Sequence, residues 1–154
     1  MDVQEGFLKH SLLLPSRIAA YVRNHRFTHV IGTCFVNEPE NPFVTELGYK
    51  GCLTEEERKI PMEIEALCEQ IFCKPAYTCF TPSLIRWLAE KQIGHLYFCG
   101  LDTDACVLKS TLDAFEQGFK ITVLRDLCES SGGASCHSMG IQLLERLIGR
   151  NNVR

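Results

Sequence analysis

The stretch CGLDTDACVLKSTLDAFEQG, Cys99 to Gly118, opens with two cysteines seven positions apart around a glycine and a pair of aspartates. A cysteine is either a small buried hydrophobe or, beside a helix N-terminus or a cation, a thiolate nucleophile. HLYFCG reads as a strand, LDTD as a tight turn, and ACVLKSTLDAFEQ as a helix that Thr103 or Asp104 can cap. Cys99 then lies inside the strand, while Cys106 enters the first helical turn, where the helix dipole and free N–H groups favour the thiolate. A phosphate loop uses the same strand–turn–helix, but two aspartates and a single glycine repel an anion. A thiolate nucleophile further requires a base, a cation and N–H donors for the developing oxyanion. Asp2 in DVQEGF and Lys74 at the end of QIFCK stand at the carboxyl ends of candidate strands and supply the first two.

The elements that must position these residues alternate between short apolar runs and helical patterns. In order they are THVIGTCF, a helix ending near Leu67, QIFCK, PSLIRWLAEKQ, HLYFCG, ACVLKSTLDAFEQG, KITVLRD and SCHSMGIQLLERLIG. Short strands apolar on both faces, alternating with helices, predict a mainly parallel sheet covered on both sides, where ligands sit at the carboxyl ends of the strands. Thr81-Pro82 offers an N-cap followed by proline at the first helical position, and Gly94 and Gly118 stand where helices should stop. The segment from Val36 to Ile60 is polar and rich in Pro and Gly, which predicts a long functional loop.

The chain has 154 residues, 45% apolar and 23% charged, which predicts one globular domain over 1–154. A net charge of -3 without a Lys/Arg cluster argues against nucleic acid and against an anionic membrane surface. The opening is acidic where a secretory signal is basic, and no run approaches a membrane span, so a cytoplasmic location is expected. Nine cysteines, an odd number, read as free thiols, and no Cys-x-x-Cys pair or ligand-spaced histidine predicts a metal or other cofactor.

Three stretches taken together resemble the isochorismatase-like cysteine hydrolases, the family of nicotinamidase and N-carbamoylsarcosine amidase. They are DVQEGF (Asp2, Gln4, Phe7), KPAYTCF (Lys74, Tyr77, Thr78, Phe80) and GLDTDACV (Gly100, Thr103, Asp104, Cys106, Val107), and the likeness runs on to the last helix. The resemblance implies a three-layer α/β/α fold with a doubly wound sheet of order 3-2-1-4-5-6 and a triad of Asp2, Lys74 and Cys106. It also implies a cis peptide bond between Leu101 and Asp102, and an oxyanion hole from N–H groups around Asp102 and Cys106. With the cysteine present, the expected reaction is hydrolysis of a small-molecule amide, ureido or related C–N bond through a thioester. Other outcomes it leaves open are a weakly active ligand-binding homologue and a redox-sensing thiol protein.

Metal-binding nicotinamidases carry histidines ahead of the lysine. No histidine stands between His29 and His95 here, which points to a less characterised branch with Thr33, Phe35 and Asn37 at the entrance and Phe7, Phe35 and Tyr77 as pocket walls. The likeness further implies a homo-oligomer, dimer or larger. Family members carry an apolar strand before the aspartate, whereas Asp2 is preceded only by Met1. The central strand is therefore expected to be truncated, leaving ladder groups on its neighbours unpaired at about 1–3 kcal/mol for each one buried.

Overall fold

The computed structural model describes residues 1–154. Helix α1 (Leu14–Asn24) admits Pro15 in its first turn, where no N–H is required, and turns Leu14, Ile18 and Ala19 inward with Arg17 and Arg23 outward. Strand β1 (Ile31–Phe35) pairs in parallel with β2 (Gln70–Lys74), matching Cys34 to Cys73 and Phe35 to Lys74. Strand β3 (His95–Gly100) pairs in parallel with β4 (Lys120–Cys128).

The segment after β1 is not wholly irregular. It holds three one-turn helices, α2 (Pro42–Thr45), α3 (Glu55–Arg58) and α4 (Met62–Glu65). Asn41 caps α2, and Thr54 and Glu57 form a reciprocal capping box on α3. Beyond β2, Thr81 caps α5 (Pro82–Glu90) through its hydroxyl, with Pro82 at the first helical position. The last two helices are α6 (Leu108–Glu116), after which Gly118 takes a positive φ of 82°, and α7 (Ala134–Ile148). Gly94 stops nothing by a left-handed turn of its own; Gln92 takes that conformation instead.

The helices form two layers. Leu84 and Leu88 of α5, Ala114 of α6 and Ile141, Leu144 and Ile148 of α7 pack with Phe72, Phe98, Ile121 and Val123 from the strands. Leu14 and Ile18 of α1 and Ile64 of α4 pack with Phe35, Leu124 and the N-terminal residues Val3, Phe7 and Leu8. Val123 and Leu124 therefore serve opposite layers, as the two-residue period of a strand requires.

The expected order 3-2-1-4-5-6 does not appear as one hydrogen-bonded sheet. Instead of one continuous sheet there are two parallel pairs, β1 with β2 and β3 with β4. Only the N-terminal residues span the gap between them. The Met1 ammonium donates to Cys99 O at 2.8 Å, Leu101 N donates to Met1 O at 3.0 Å, and Asp2 N donates to Thr33 O at 3.2 Å. At the far edge, Val153 forms a parallel bridge to Val123 in the place of a sixth strand.

Candidate active site

Asp2, Lys74 and Cys106 meet at the carboxyl ends of the strands. Asp2 is 1% and Lys74 1% exposed, and their side chains form an ion pair with Nζ to Oδ2 at 2.8 Å. The ammonium also lies 3.3 Å from Cys106 Sγ, and donates to the carbonyls of Ala76 at 2.7 Å and Tyr77 at 3.2 Å. An ammonium has three protons, so these four acceptors share them and fix Nζ in place. Asp2 Oδ1 accepts the Thr33 hydroxyl at 2.6 Å. Oδ2 takes no hydroxyl or backbone donor and faces the Lys74 ammonium. Burial works against the Lys74 ammonium, but its neighbours, the Asp2 carboxylate first, outweigh it and hold its pKa above the ordinary value.

Cys106 does not sit in the first turn of a regular α-helix. A wide π-helical turn, Thr103–Val107, precedes α6, with Val107 N donating to Asp102 O at 3.0 Å. Neither Thr103 nor Asp104 caps it. Thr103 Oγ1 donates instead to Glu129 O at 3.0 Å and lies 2.8 Å from His137 Nδ1. The Glu129 carbonyl can only accept, so the hydroxyl proton points there and His137 Nδ1 is the protonated nitrogen. Asp102 accepts from the backbone and hydroxyl of Ser131 at 2.7 and 2.6 Å. The Leu101–Asp102 peptide bond ahead of the turn is cis. Gly100, at φ 115°, is required because a Cβ there would lie 2.1 Å from Met1 O.

The surroundings of the sulfur work against the thiolate that the helix dipole favours. Burial pushes the Cys106 thiol well above its ordinary value, and the Asp2 carboxylate adds to that, while Lys74 acts in the opposite direction. Desolvation of this 6% exposed residue thus opposes the helix dipole at the sulfur.

The predicted pocket residues divide. Phe7 stacks on Tyr49 at 6.3 Å between centroids and tilts against Phe35, and Phe35 meets Phe43 edge-on at 4.9 Å. Phe43 in turn meets Tyr77 at 4.7 Å, and Lys74 Nζ lies 5.4 Å from the Phe35 ring centre. One aromatic wall thus runs from the N-terminal layer to the half-exposed Tyr77. Phe43 and Tyr49 belong to it and were missed; the signal available was their place in the loop sequences NPF and GYKG. Thr33 is no entrance residue, because its hydroxyl is buried against Asp2. Asn37 is fully buried, and its amide donates to the carbonyls of Tyr49 and Gly51, both at 3.0 Å, so it holds the loop rather than a ligand. Gln4 ties the arm to β1, its Oε1 accepting from Phe35 N at 2.7 Å and its Nε2 donating to Phe35 O at 3.0 Å.

Known proteins resemble this chain. The isochorismatase domain matches residues 1–150. The chain belongs to the isochorismatase family. Isochorismatase family protein 1A of Dictyostelium discoideum is 30% identical over 131 residues, covering 79% of this chain and 64% of that protein. The nicotinamidase of Escherichia coli is 44% identical over 46 residues, 30% of this chain and 22% of that one. The chain thus spans less than two thirds of the length of these curated relatives, and 28% of isochorismatase domain-containing protein 2 of Pongo abelii. Among solved structures, nicotinamidase PncA of Bacillus subtilis superposes with a TM-score of 0.79 at 21% identity, covering 99% of this chain and 94% of that one. N-carbamoylsarcosine amidase of Thermoplasma acidophilum gives 0.78 at 20%, covering 96% and 89%. At such identities the likeness is one of fold.

Pyrazinamidase of Pyrococcus horikoshii, solved in complex with zinc, has the same fold, with a TM-score of 0.77 at 21% identity, covering 99% of this chain and 93% of that one. The residues of this family member do not fit such a metal. The acids that follow β1, Glu38, Glu40 and Glu46, are exposed, Asn37 is occupied by backbone carbonyls, and no three His, Cys, Asp or Glu side chains converge. No helix is long and apolar enough to cross a membrane.

Proposed function

We propose that this family member is a cysteine-dependent hydrolase of a small-molecule C–N bond, an amide, ureido or related group, with Cys106 as nucleophile, Asp2 as general acid–base and Lys74 as the group that holds both. The observation that carries the reading is the buried convergence of the three side chains, with Lys74 2.8 Å from Asp2 and 3.3 Å from Cys106. The amidase and nicotinamidase activities named for its structural neighbours support the same class of reaction.

In this reading Cys106 rests as a neutral thiol, which burial favours, and that sets the order of events. A substrate carbonyl enters along the Phe35, Phe43 and Tyr77 wall, and the Cys106 proton passes to Asp2 Oδ2 as the S–C bond forms. The carbonyl oxygen becomes an oxyanion, received by N–H groups of the turn around Asp102 and Cys106, with Lys74 balancing the added negative charge. Collapse breaks the C–N bond, and Asp2 returns its proton to the departing ammonia or amine. A water then attacks the thioester, gives its proton to Asp2 and releases the acid, and the Cys106 sulfur recovers the proton. Each half-reaction uses the carboxylate once as base and once as acid.

Intact mass spectrometry after incubation with a panel of primary amides, ureido acids and carbamoyl compounds tests this reading. The expected result is an acyl adduct on Cys106 together with release of ammonia or amine. Turnover that survives Cys106→Ala would assign the chemistry to another group.

A further inference from the structure

A second pair of thiols lies on the same two strands, one residue away from the site. The register of β1 and β2 sets Cys34 directly opposite Cys73, and both are free. Residues opposed on neighbouring strands project from the same face about 4.8 Å apart. That separation falls within the Cα span of about 4.4–6.8 Å found across disulfides. The two sulfurs differ in access, because Cys73 is exposed and Cys34 is 8% exposed. Cys34 is also oriented, accepting from Gln4 Nε2 at 3.3 Å and lying 3.7 Å from the Arg58 carbonyl. Burial first, and then the adjacent Cys73 thiol, push the Cys34 pKa up to about 12, which makes Cys34 a poor first reactant.

We infer that Cys34 and Cys73 form a site of reversible oxidative modification, in which a peroxide converts the pair to a disulfide that cross-links β1 to β2. The exposed Cys73 reacts first: its sulfur attacks the peroxide O–O bond, becomes the sulfenic acid and releases water. The Cys34 sulfur then attacks the Cys73 sulfur, the S–O bond breaks, and the oxygen leaves as a second water carrying the Cys34 proton. Two thiols are oxidised and one hydrogen peroxide is reduced, with no other reactant. A disulfide with one accessible sulfur is open to attack by an external thiol, so the bridge is reversible. The bridge would tie together the residues preceding Phe35 and Lys74 and close off the loop between them, so the modification reaches the aromatic wall and the ammonium through the backbone.

This inference goes beyond the hydrolase reading and does not depend on it, because its test needs no substrate. The full chain is treated with hydrogen peroxide, digested without reductant and mapped by mass spectrometry. The expected product is a cross-linked peptide joining Cys34 to Cys73, with the intact mass lower by two hydrogens, reversed by dithiothreitol and absent in Cys73→Ser. Recovery of Cys73 as sulfinic acid with Cys34 still a thiol overturns the inference. So does a bridge from Cys34 to the buried Cys52, or a pair left reduced while other cysteines oxidise.

Discussion

The turn that carries Cys106 and the arm that carries Asp2 reach the same ion pair by opposite means. The turn is locked from outside: Thr103 N and Oγ1 both bond Glu129 O, Asp102 clasps Ser131, and α7 closes over it with a glycine, Gly140, against the backbone of Asp104. The arm crosses a gap between two strand pairs on a few hydrogen bonds from Met1, Asp2 and Gln4, with Asp2 in the left-handed region at φ 46°. Such a φ is tolerated by aspartate but uncommon outside glycine. The nucleophile of an acyl transfer must be aimed at a carbonyl within tenths of an ångström, whereas a proton acceptor needs only reach and basicity. On the proposed hydrolase reading, the locked turn supplies that aim and Asp2 that reach.

Substitutions at the two ends break this comparison unequally. Cys106→Ala should reduce turnover of a confirmed substrate to background, since no other group can form the thioester, and substrate binding measured by calorimetry should persist. Asp2→Asn retains shape but removes the proton acceptor, and kcat should fall about 10²–10⁴-fold. Near-full activity of that variant would detach the arm from the chemistry.

Two milder variants test how each region is held. Gly140→Ala places a Cβ 2.9 Å from Asp104 N and Cα, so α7 must retreat from the turn. Overpacking of that kind costs about 1–3 kcal/mol, read as a lowered Tm together with a lower kcat. Thr33→Val removes the hydroxyl donor to Asp2 Oδ1 and leaves that oxygen buried without it. A loss of about 1.4 kcal/mol at the arm, within the range for one lost hydrogen bond to a charged group, should appear as roughly a 10-fold lower kcat. An effect of Thr33→Val on Tm alone would mean that the hydroxyl holds the strand pair and not the carboxylate.

The strands QIFCK and HLYFCG coincide with β2 and β3, because a short apolar run bounded by polar turns leaves few alternatives. Lys74 and Cys106 were singled out because each closes or follows such a run, whereas Asp2, preceded only by Met1, was singled out by the stretch DVQEGF. Helix α1 was not singled out: its few apolar positions share the segment with two arginines, and Pro15 reads as a break although the first turn accepts it. The one-turn helices α2, α3 and α4 are too short to display a period and owe their form to Asn41, Thr54 and Pro61. Thr33 was misread for a different reason. Its partner Asp2 is 31 residues away along the chain and becomes a neighbour only across the gap. The upward push on the Cys106 pKa was beyond local sequence for the same cause, since it comes from how deeply the folded chain buries the sulfur.

The smallest expected effect separates the two regions by sign. Burial and the Asp2 charge together hold the Cys106 proton, with Lys74 opposing them. At neutral pH the exposed Cys73 should therefore be alkylated by iodoacetamide before Cys106, whose labelling should climb as pH rises above the ordinary thiol range. In Asp2→Asn the negative neighbour is gone, and the Lys74 charge, relieved of its carboxylate, acts on the sulfur undivided. Both changes favour the thiolate, so the labelling profile should move to lower pH, and each unit of displacement raises the rate at a fixed pH by about 10-fold at most. Lys74→Ala removes the one opposing charge and should move the profile to higher pH. The variant that loses turnover would thus gain a more reactive thiol, a combination that arises only if Asp2 serves catalysis by accepting the proton and not by keeping Cys106 ionised. Slower labelling in Asp2→Asn would instead make the carboxylate a support for the thiolate, and the order of proton transfer and attack would be reversed.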